Sequence, residues 1–138
     1  HLHSDHVVDL YQLIIWDRRN SPNIRGDILV PCTEHVYWLC KEKPKSFRKN
    51  INQNYRGEVW TIPAKKQEGH PAPFPEQLVE NCILLATESG DLVCDPFMGG
   101  GTTAVVSERL NRKWCGSELD PHYVKITMKR LKESSNEI

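Results

Sequence analysis

Asp95-Pro96-Phe97-Met98-Gly99-Gly100-Gly101-Thr102-Thr103 is the stretch of sequence that decides the fold. It follows a short apolar run at 91–94, which the Asp-Pro pair stops, and it opens a helical pattern over 102–110. Glycines at the carboxyl end of a strand let the backbone turn sharply and approach a ligand closely. The helix that follows presents free N–H groups at its first turn. The stretch therefore predicts a small-molecule loop between a strand and a helix.

The same alternation of helix and strand continues on both sides of this loop. Apolar residues at helical spacing predict a helix over 75–88, with Pro75 in the first turn, where proline is tolerated. A second strand is predicted over 113–117, and a third helix over 123–132 has basic last turns that match the helix dipole. This order is typical of an α/β fold with a doubly wound, mostly parallel sheet.

The first half of the chain is less regular. Strands are predicted at 11–16 and 35–40, with a shorter extended piece at 59–62. From 41 to 53 the composition turns basic and polar, which predicts a loop. The whole chain has 138 residues, 38% of them hydrophobic and 26% charged, and this composition predicts a single domain over 1–138.

Three classes of ligand are compared for the loop. A triphosphate-binding loop wants Gly-Lys-Ser/Thr, and the stretch contains no lysine, which sets nucleoside triphosphates aside. Gly99, Gly101 and Ala104 fit the G-x-G-x-x-A form, so a nicotinamide cofactor stays open. Asp95, however, places a carboxylate where it would repel a pyrophosphate and attract a cationic group. S-adenosylmethionine carries both an ammonium and a sulfonium, so the carboxylate favours this cofactor.

Glu118 is a second acidic residue at the end of a predicted strand, 23 residues after Asp95. In doubly wound folds, an acidic residue at the tip of the neighbouring strand accepts hydrogen bonds from ribose hydroxyls. The alternative is that both acids are N-cap residues, because each precedes a helix. The cofactor hypothesis therefore depends on whether the two carboxylates reach one shared cleft.

Residues 70–131 resemble the DNA amino-methyltransferase family, which methylates adenine N6 or cytosine N4, in the arrangement where the catalytic motif lies upstream of the cofactor-binding motifs. The resemblance is carried by His70-Pro71-Ala72-Pro73-Phe74-Pro75, by the Asp95 to Thr103 loop, by Lys113-Trp114-Cys115-Gly116-Ser117-Glu118, and by Tyr123 with the final helix. It implies a Rossmann-like, S-adenosylmethionine-dependent methyltransferase fold, incomplete at its N-terminal side, with 67–138 as the cofactor-binding part. The cofactor-binding residues that it implies are His70, Pro71, Ala72, Phe74, Pro75, Asp95, Pro96, Phe97, Gly99, Gly101, Thr102, Thr103, Glu118 and Leu119.

Residues 1–66 resemble the target-base side of the same family less sharply. Ile14-Ile15-Trp16 and Glu34-His35-Val36-Tyr37-Trp38-Leu39 are similar to its strands on that side. By resemblance, Trp16 or the Glu34-His35 pair borders the pocket that receives the extruded base. Aromatic residues in strands are usually core residues, and this ordinary role is the alternative.

The catalytic signature of that family is the main departure. In the family, an Asp, Asn or Ser followed by Pro-Pro and an aromatic holds the exocyclic amine of the flipped base. No Pro-Pro pair occurs in this sequence, and Asn20-Ser21-Pro22-Asn23 lacks both the second proline and the aromatic. No catalytic residue is therefore visible in the chain. We expect the loop on an upstream segment or on a second chain.

The resemblance implies methyl transfer from S-adenosylmethionine to adenine N6 in double-stranded DNA, with cytosine N4 as an alternative. A non-catalytic DNA-binding subunit that retains the cofactor fold is a second alternative, and a nicotinamide-dependent oxidoreductase is a third. A restriction endonuclease is a further expected partner. The five cysteines are odd in number and lack paired close spacing, so they are expected to be reduced thiols, with Cys82, Cys94 and Cys115 as small core residues in apolar stretches. By resemblance to the family, none of them is a catalytic nucleophile.

The charge distribution predicts where DNA binds. Residues 1–66 carry 11 Lys or Arg against 7 Asp or Glu, and residues 67–138 carry 7 against 11. This asymmetry indicates that one end meets a polyanion, with chance as the alternative. A short target-recognition insertion would fall at about 41–66. The candidate phosphate contacts, each of which could instead belong to a solvated basic face, are Arg18, Arg19, Lys41, Lys43, Lys45, Arg48, Lys49, Lys65 and Lys66.

Membrane and metal binding are not expected. No apolar run approaches the roughly 20 residues that span a bilayer, and no leader pattern begins the sequence, so a cytoplasmic location is expected. His1, His3, Asp5 and His6 are close in sequence, but no matching ligand set follows them. A frayed terminus is the preferred interpretation.

Overall fold

A computed structural model describes residues 8–19, 26–27, 29–45, 47–64 and 74–135 of the chain. Within these ranges the strands lie in two separate groups, one of order β2-β1-β3 and one of order β4-β5. The elements are β1 Asp9–Asp17, β2 Thr33–Cys40, β3 Val59–Thr61, α1 Glu76–Ala86, β4 Leu92–Asp95, α2 Thr102–Arg109, β5 Lys113–Gly116 and α3 Pro121–Ser135.

The larger sheet has β1 at its centre, antiparallel to β2 and parallel to β3. Successive strand residues point to opposite faces, which places Ile14 and Trp16 together on one face, where both are buried. Trp60 of β3 joins them, and α1 covers this face with Leu78 and Leu85. The main core therefore lies between the larger sheet and α1.

The other face of this sheet is apolar and open. Leu13, Tyr37, Leu39 and Val59 all lie on it, and all are exposed. A doubly wound sheet has helices on both faces. Within the described ranges no helix covers this face, which agrees with the expectation of an incomplete α/β fold.

The smaller sheet carries the loop. Strands β4 and β5 are parallel, and Asp95 lies opposite Gly116 in the register. Helix α2 connects them and buries Ala104 and Val106 completely. The predicted order of helix, strand, helix, strand, helix is confirmed, with ends that shift by a few residues. The stretch predicted as a loop at 41–53 also contains a one-turn 3-10 segment at Arg48–Asn50, and a second one begins at its last residue, Gln53–Tyr55.

The cysteine expectation is correct in one respect and wrong in another. All five thiols are free. Cys82 packs against the main core, and burial raises the pKa of its thiol to about 11. Cys94 and Cys115 are exposed, because they lie on the face of the smaller sheet opposite to that of Val93 and Trp114.

Within the described ranges, no helix combines the length and the apolar composition that crossing a bilayer requires. The same ranges contain no group of three or more side chains suited to hold a metal ion. The cluster of His1, His3, Asp5 and His6 lies outside the described residues.

Candidate cofactor site

Asp95 connects the end of β4 to the first turn of α2. Its Oδ1 accepts a hydrogen bond from the Phe97 N–H at 3.0 Å, and its Oδ2 accepts one from the Thr103 hydroxyl at 2.7 Å. The bond to the residue two positions on is an Asx-turn, which folds the chain back sharply after the strand. The N-cap of α2 is Gly101, so the N-cap alternative for Asp95 is wrong.

Glu118 reaches the same loop from β5. Its Oε2 accepts a hydrogen bond from the Gly99 N–H at 2.7 Å, and its Oε1 accepts one from the Asp120 N–H at 2.9 Å. Asp120 accepts from the N–H groups of His122 and Val124 and so caps α3 itself, which excludes the N-cap role for Glu118. The carboxylates of Asp95 and Glu118 thus bind N–H groups two residues apart in one loop, at the same edge of the smaller sheet.

The N–H groups of the loop are largely occupied by protein acceptors. Besides the bonds to the two carboxylates, the Met98 N–H donates to the Ser117 carbonyl at 2.9 Å, and the Gly101 N–H donates to the Met98 carbonyl at 3.0 Å. A pyrophosphate needs such N–H groups free at the start of a helix. The N–H groups of Phe97, Met98, Gly99 and Gly101, all of which precede α2, are therefore bound by protein acceptors.

Glycine is required at two positions where other residues would not fit. Gly101 has φ 78°, and a Cβ there would lie 2.5 Å from Cγ2 and 2.6 Å from Oγ1 of Thr127. Gly116 has no room for a Cβ, which would lie 2.2 Å from Cε of Met98 and 2.6 Å from the Asp95 carbonyl oxygen. The loop therefore packs with its backbone directly against α3 and β5.

Helix α3 holds the loop through two side chains that were not predicted as site residues. The Thr127 hydroxyl donates to the Gly99 carbonyl at 3.0 Å, and the Arg130 guanidinium donates to the Gly100 carbonyl at 2.6 Å. The two residues are three positions apart and so lie on one face of the helix. That spacing is the signal available in the sequence, but their partners are 28 to 30 residues away.

Two apolar side chains at this edge face solvent. Phe97 is 87% exposed and Leu119 is 100% exposed, while Met98 between the two strands is buried. Such exposed apolar groups beside polar ones are typical of a ligand site. The N–H of Phe97 binds the Asp95 carboxylate, and Leu119 directly follows Glu118 in the chain. The edge therefore combines apolar surface with negative charge.

A network of charged residues ties α1 to the loop. Arg130 also donates to Glu76 at 3.0 Å, and Arg109 donates to Glu76 at 2.7 Å and to Glu80 at 3.1 Å. Partial burial works to raise the pKa of Glu76, but the hydrogen bonds and positive charges of Arg109 and Arg130 hold it below its ordinary value. The first turn of α1 is thus linked through Arg130 to the Gly100 carbonyl.

The segment before α1 is described from Phe74 onward. Phe74 packs edge to face against Trp16, with ring centroids 6.1 Å apart and planes inclined by 61°. Pro75 is buried at the N-cap of α1. His70, Pro71 and Ala72 lie outside the described residues, so their predicted contact with the cofactor stays a prediction.

The residues predicted at the base pocket do not form one surface. Trp16 is only 4% exposed, and its indole N–H donates to the Ile62 carbonyl at 2.8 Å, as in an ordinary core tryptophan. Glu34 is paired with Arg18, which lies over the Trp16 ring. His35 pairs in register with Ile15 and so lies on the opposite face from Glu34. The Glu34-His35 pair is therefore divided between the two faces of the sheet.

The predicted phosphate contacts fall into two groups along the chain, one directly after β1 and one from Lys41 onward. Arg18 and Arg19 follow the carboxyl end of the strand. Lys41 follows Cys40, which is opposite Asp9 at the other end of β1, because β2 is antiparallel. The nine residues of β1 separate the two ends by roughly 26 Å. Lys43, Lys45, Arg48 and Lys49 continue from Lys41 and are all exposed, whereas Lys65 and Lys66 lie outside the described residues.

A cleft of about 610 Å³ lies beside this second group. Tyr11, Trp38 and Tyr55 contribute aromatic walls, and Arg48 and Arg56 lie at its border. The Phe47 N–H donates to the Leu85 carbonyl at 2.9 Å, which places the neighbouring segment at the C-terminal end of α1. The cleft is therefore distant from the loop edge and forms no part of the candidate cofactor site.

Comparison with known proteins agrees with this arrangement. The N6 and N4 methyltransferase family profile, described as "DNA methylase", matches residues 3–129. The chain is 37% identical to "Type II methyltransferase M2.DpnII" of Streptococcus pneumoniae, in an alignment that covers 90% of this chain and 51% of that protein.

Two solved structures are similar to the chain as well. The M1.HpyAVI-SAM complex has a TM-score of 0.76 and 29% identity over 91% of this chain and 63% of its own. The cytosine-N4-specific PvuII DNA methyltransferase has a TM-score of 0.80 and 26% identity over 94% of this chain and 56% of its own. The chain belongs to the DNA methylase family of N6 and N4 methyltransferases. It spans about half the length of the curated relatives that it matches.

Proposed function

We propose that this chain binds S-adenosylmethionine at the Asp95 to Thr103 loop and forms the cofactor-bearing part of an enzyme that methylates an exocyclic amine of DNA. One observation carries the proposal: the Asp95 and Glu118 carboxylates bind N–H groups two residues apart, beside the exposed Phe97 and Leu119 side chains. Negative charge next to apolar surface suits a cationic nucleoside better than a dinucleotide with two phosphates.

Each part of the edge has a proposed role toward that cofactor. When bound, S-adenosylmethionine supplies an electrophilic methyl group on its sulfonium. Asp95 provides the negative charge that attracts its cationic end, and Glu118 accepts hydrogen bonds from its ribose hydroxyls. Phe97 and Leu119 cover the faces of its adenine. Family resemblance supports the remaining contacts, which are His70, Pro71, Ala72, Phe74, Pro75, Pro96, Gly99, Gly101, Thr102 and Thr103.

The proposed substrate is double-stranded DNA with the N6 amine of adenine as the target. The likeness to the cytosine-N4-specific PvuII enzyme favours cytosine N4 as the second candidate. The two amines present the same chemistry, because in each the nitrogen lone pair is delocalised into the base. The proposed cofactor site serves both targets equally, so the methylated product distinguishes them.

We further propose that the catalytic Pro-Pro-aromatic loop comes from more chain than this sequence contains, on the same polypeptide or on a second one. The sequence has no Pro-Pro pair, and it matches about half the length of its relatives. The likeness to Type II methyltransferases supports a restriction endonuclease partner and a cytoplasmic location. A non-catalytic subunit would bind cofactor and DNA yet yield no product with any catalytic segment.

DNA contact is proposed for both basic groups at different positions along the duplex. Arg19 is exposed at the carboxyl end of β1, where it pairs with Asp17 at 3.6 Å, while Arg18 is engaged with Glu34. In the second group, Lys41 lies roughly 26 Å away at the other end of β1, whereas Arg48 lies beside Gln12 and Ile14. At 3.4 Å per base pair, a duplex would need about 8 base pairs to reach both Arg19 and Lys41.

Calorimetric titration with S-adenosylmethionine tests the cofactor site. Asp95→Asn keeps an oxygen for the Phe97 N–H but removes the charge, and Glu118→Gln does the same for Gly99. We expect each to weaken binding by about 10- to 100-fold, the loss of one charge-assisted hydrogen bond. Asp91→Asn, at the opposite end of β4, is the matched control and should leave the affinity unchanged.

The outcomes separate the candidates. Unchanged affinity in both variants would reject the proposed site, and tighter binding of a nicotinamide dinucleotide to the native chain would favour an oxidoreductase. Addition of a polypeptide that carries the catalytic loop, followed by nucleoside analysis of the DNA, should yield N6-methyladenine. N4-methylcytosine would assign the chain to cytosine N4 methylation. If the chain binds cofactor and DNA but no methylated base forms, the non-catalytic subunit is favoured.

A further inference from the structure

Cys94 and Cys115 form a pair of thiols on the exposed face of the smaller sheet. They are direct neighbours in the register of β4 and β5, and both are exposed and free. The neighbouring thiol of Cys115 raises the pKa of Cys94 above its ordinary value. The register therefore places the two thiols side by side on one face of the smaller sheet.

The geometry of neighbouring strands suits a covalent link at this position. Paired strands lie about 4.8 Å apart, which is inside the range of about 4.4 to 6.8 Å that Cα atoms of a disulfide adopt. Residues opposite one another point to the same face, so the two Cβ atoms are directed alike. A disulfide here would still need the Cβ atoms to approach within about 4.5 Å.

We propose that Cys94 and Cys115 are a redox-sensitive dithiol, which a small-molecule disulfide of the glutathione class oxidises to a disulfide between β4 and β5. This site is separate from the methyl-transfer chemistry, which uses no cysteine. The other thiols differ in surroundings: Cys82 packs against the core, Cys40 contacts the Asp9 carbonyl at 3.9 Å, and Cys32 is half-buried. Oxidation should select Cys94 and Cys115 over the other thiols because these two are both close together and exposed.

The reaction proceeds by two thiol-disulfide exchanges. The thiolate of one cysteine attacks a sulfur of the small disulfide, breaks its S–S bond and releases one small thiol, which takes up the proton that was lost. The second cysteine then attacks the mixed disulfide, forms the Cys94–Cys115 bond and releases the second small thiol. Two protein thiols are oxidised and one small disulfide is reduced to two thiols, so electrons and protons balance.

The link should also reach the proposed cofactor site, and this consequence rests on the proposed function. The next pair in the register is Asp95 and Gly116. Gly116 already leaves no space beside Met98 and the Asp95 carbonyl, so β5 cannot move toward β4 without displacing Asp95. We expect the disulfide to weaken binding of S-adenosylmethionine by about tenfold, the loss of one charge-assisted hydrogen bond.

Mass spectrometry of the chain after incubation with oxidised glutathione tests the dithiol. Native protein should lose two hydrogens, and peptides joined through Cys94 and Cys115 should appear and vanish on reduction. Cys32→Ser is the matched control and should form the same link. Cys94→Ser and Cys115→Ser should each stop at a glutathione adduct. Two free thiols in the native chain, a lasting adduct without closure, or a link through another cysteine would overturn the proposal.

Titration of the reduced and oxidised forms with S-adenosylmethionine tests the consequence. Tenfold weaker binding in the oxidised form, restored on reduction and missing in Cys115→Ser, is the expected result. Equal affinity of the two forms would overturn the link to the cofactor site. If neither form binds, the proposed function fails, while the mass measurement still decides on the dithiol.

Discussion

The loop from Asp95 to Thr103 and the basic segment from Lys41 to Gly57 are both polar, yet they are built differently. In the loop, the N–H groups of Phe97, Met98, Gly99 and Gly101 all donate to acceptors of the chain itself. The basic segment carries six Lys or Arg and a single Glu, and apart from Ile51 its described residues are half-buried or exposed. The loop is held in place by hydrogen bonds of its backbone, whereas the basic segment exposes positive charge to solvent.

The internal bonds of the basic segment show the same contrast. Arg48 donates to the Arg56 carbonyl at 2.9 Å, and Arg56 donates to the Lys49 carbonyl at 3.1 Å. Backbone carbonyls of this segment are thus bound by exposed side chains. Exposed bonds of this kind are weak, because water competes for both partners. The comparison indicates that substitutions in the loop cost stability, whereas those in the basic segment alter charge with little effect on folding.

The largest expected effect comes from placing a methyl group in the loop. Gly101→Ala puts a Cβ at φ 78° against the Thr127 side chain, and it should lower the free energy of unfolding by about 2 to 4 kcal/mol. Chemical denaturation measures this change. The matched control is Gly57→Ala in the basic segment, where nothing lies within 4 Å and the change should stay within about 0.5 kcal/mol. Equal losses in both variants would break the comparison.

A smaller effect concerns pH. The pKa of Glu76 is lowered in the folded chain, so its contribution is present above the unfolded value of 4.5 and is lost as pH falls through the folded value. The side chain is 41% exposed, which limits the contribution to under about 1 kcal/mol. Glu76→Gln should remove this part of the acid dependence, as followed by denaturation between neutral and acid pH.

The control for this experiment lies in the basic segment. Glu42→Gln removes an exposed carboxylate there, and it should leave the acid dependence close to that of the native chain. If Glu42→Gln has the larger effect, the Glu76, Arg109 and Arg130 network does not anchor the loop. An unchanged profile in Glu76→Gln would lead to the same conclusion.

The smallest effect is on DNA affinity. Arg19→Ala should lower the slope of log affinity against log salt by about 0.9, the value of one phosphate contact, on short and long duplexes alike. Lys41→Ala should do so only on a duplex longer than about 8 base pairs, because Lys41 follows Cys40 at the far end of β1. Fluorescence anisotropy on 8- and 24-base-pair duplexes measures both slopes. A Lys41 effect on the short duplex would contradict its separation from Arg19.

The sequence predicted the parts of the fold whose requirements are local. Asp95-Pro96 ends a strand, and the Gly99 to Gly101 run supplies positive φ angles, so the strand, loop and helix could be read from adjacent residues. The final strand and helix were also predicted from neighbouring residues, the helix with its basic last turns. The resemblance to the family rests on these same stretches, and the comparisons confirm it.

The positions of the predicted base-pocket residues and of the predicted phosphate contacts depend on residues that are far apart in sequence. The burial of Trp16 and the division of Glu34 from His35 follow from how β1 pairs with β2. The same antiparallel pairing sends Lys41 to the far end of β1 from Arg18. Strand pairing joins residues far apart in sequence, and spacing along the chain does not reveal which strands become neighbours.

By itself, the sequence determined the order of helices and strands from 75 onward, the glycine loop and the family. Only the tertiary structure decided that Asp95 and Glu118 meet on one loop, that Thr127 and Arg130 hold it, and that Cys94 and Cys115 face each other in the open. The physical reason is the range of the interactions. Backbone turns and helical periodicity act between close neighbours. The contacts of Glu118, Thr127 and Arg130 with the loop join residues 19 or more positions apart, and packing alone selects them.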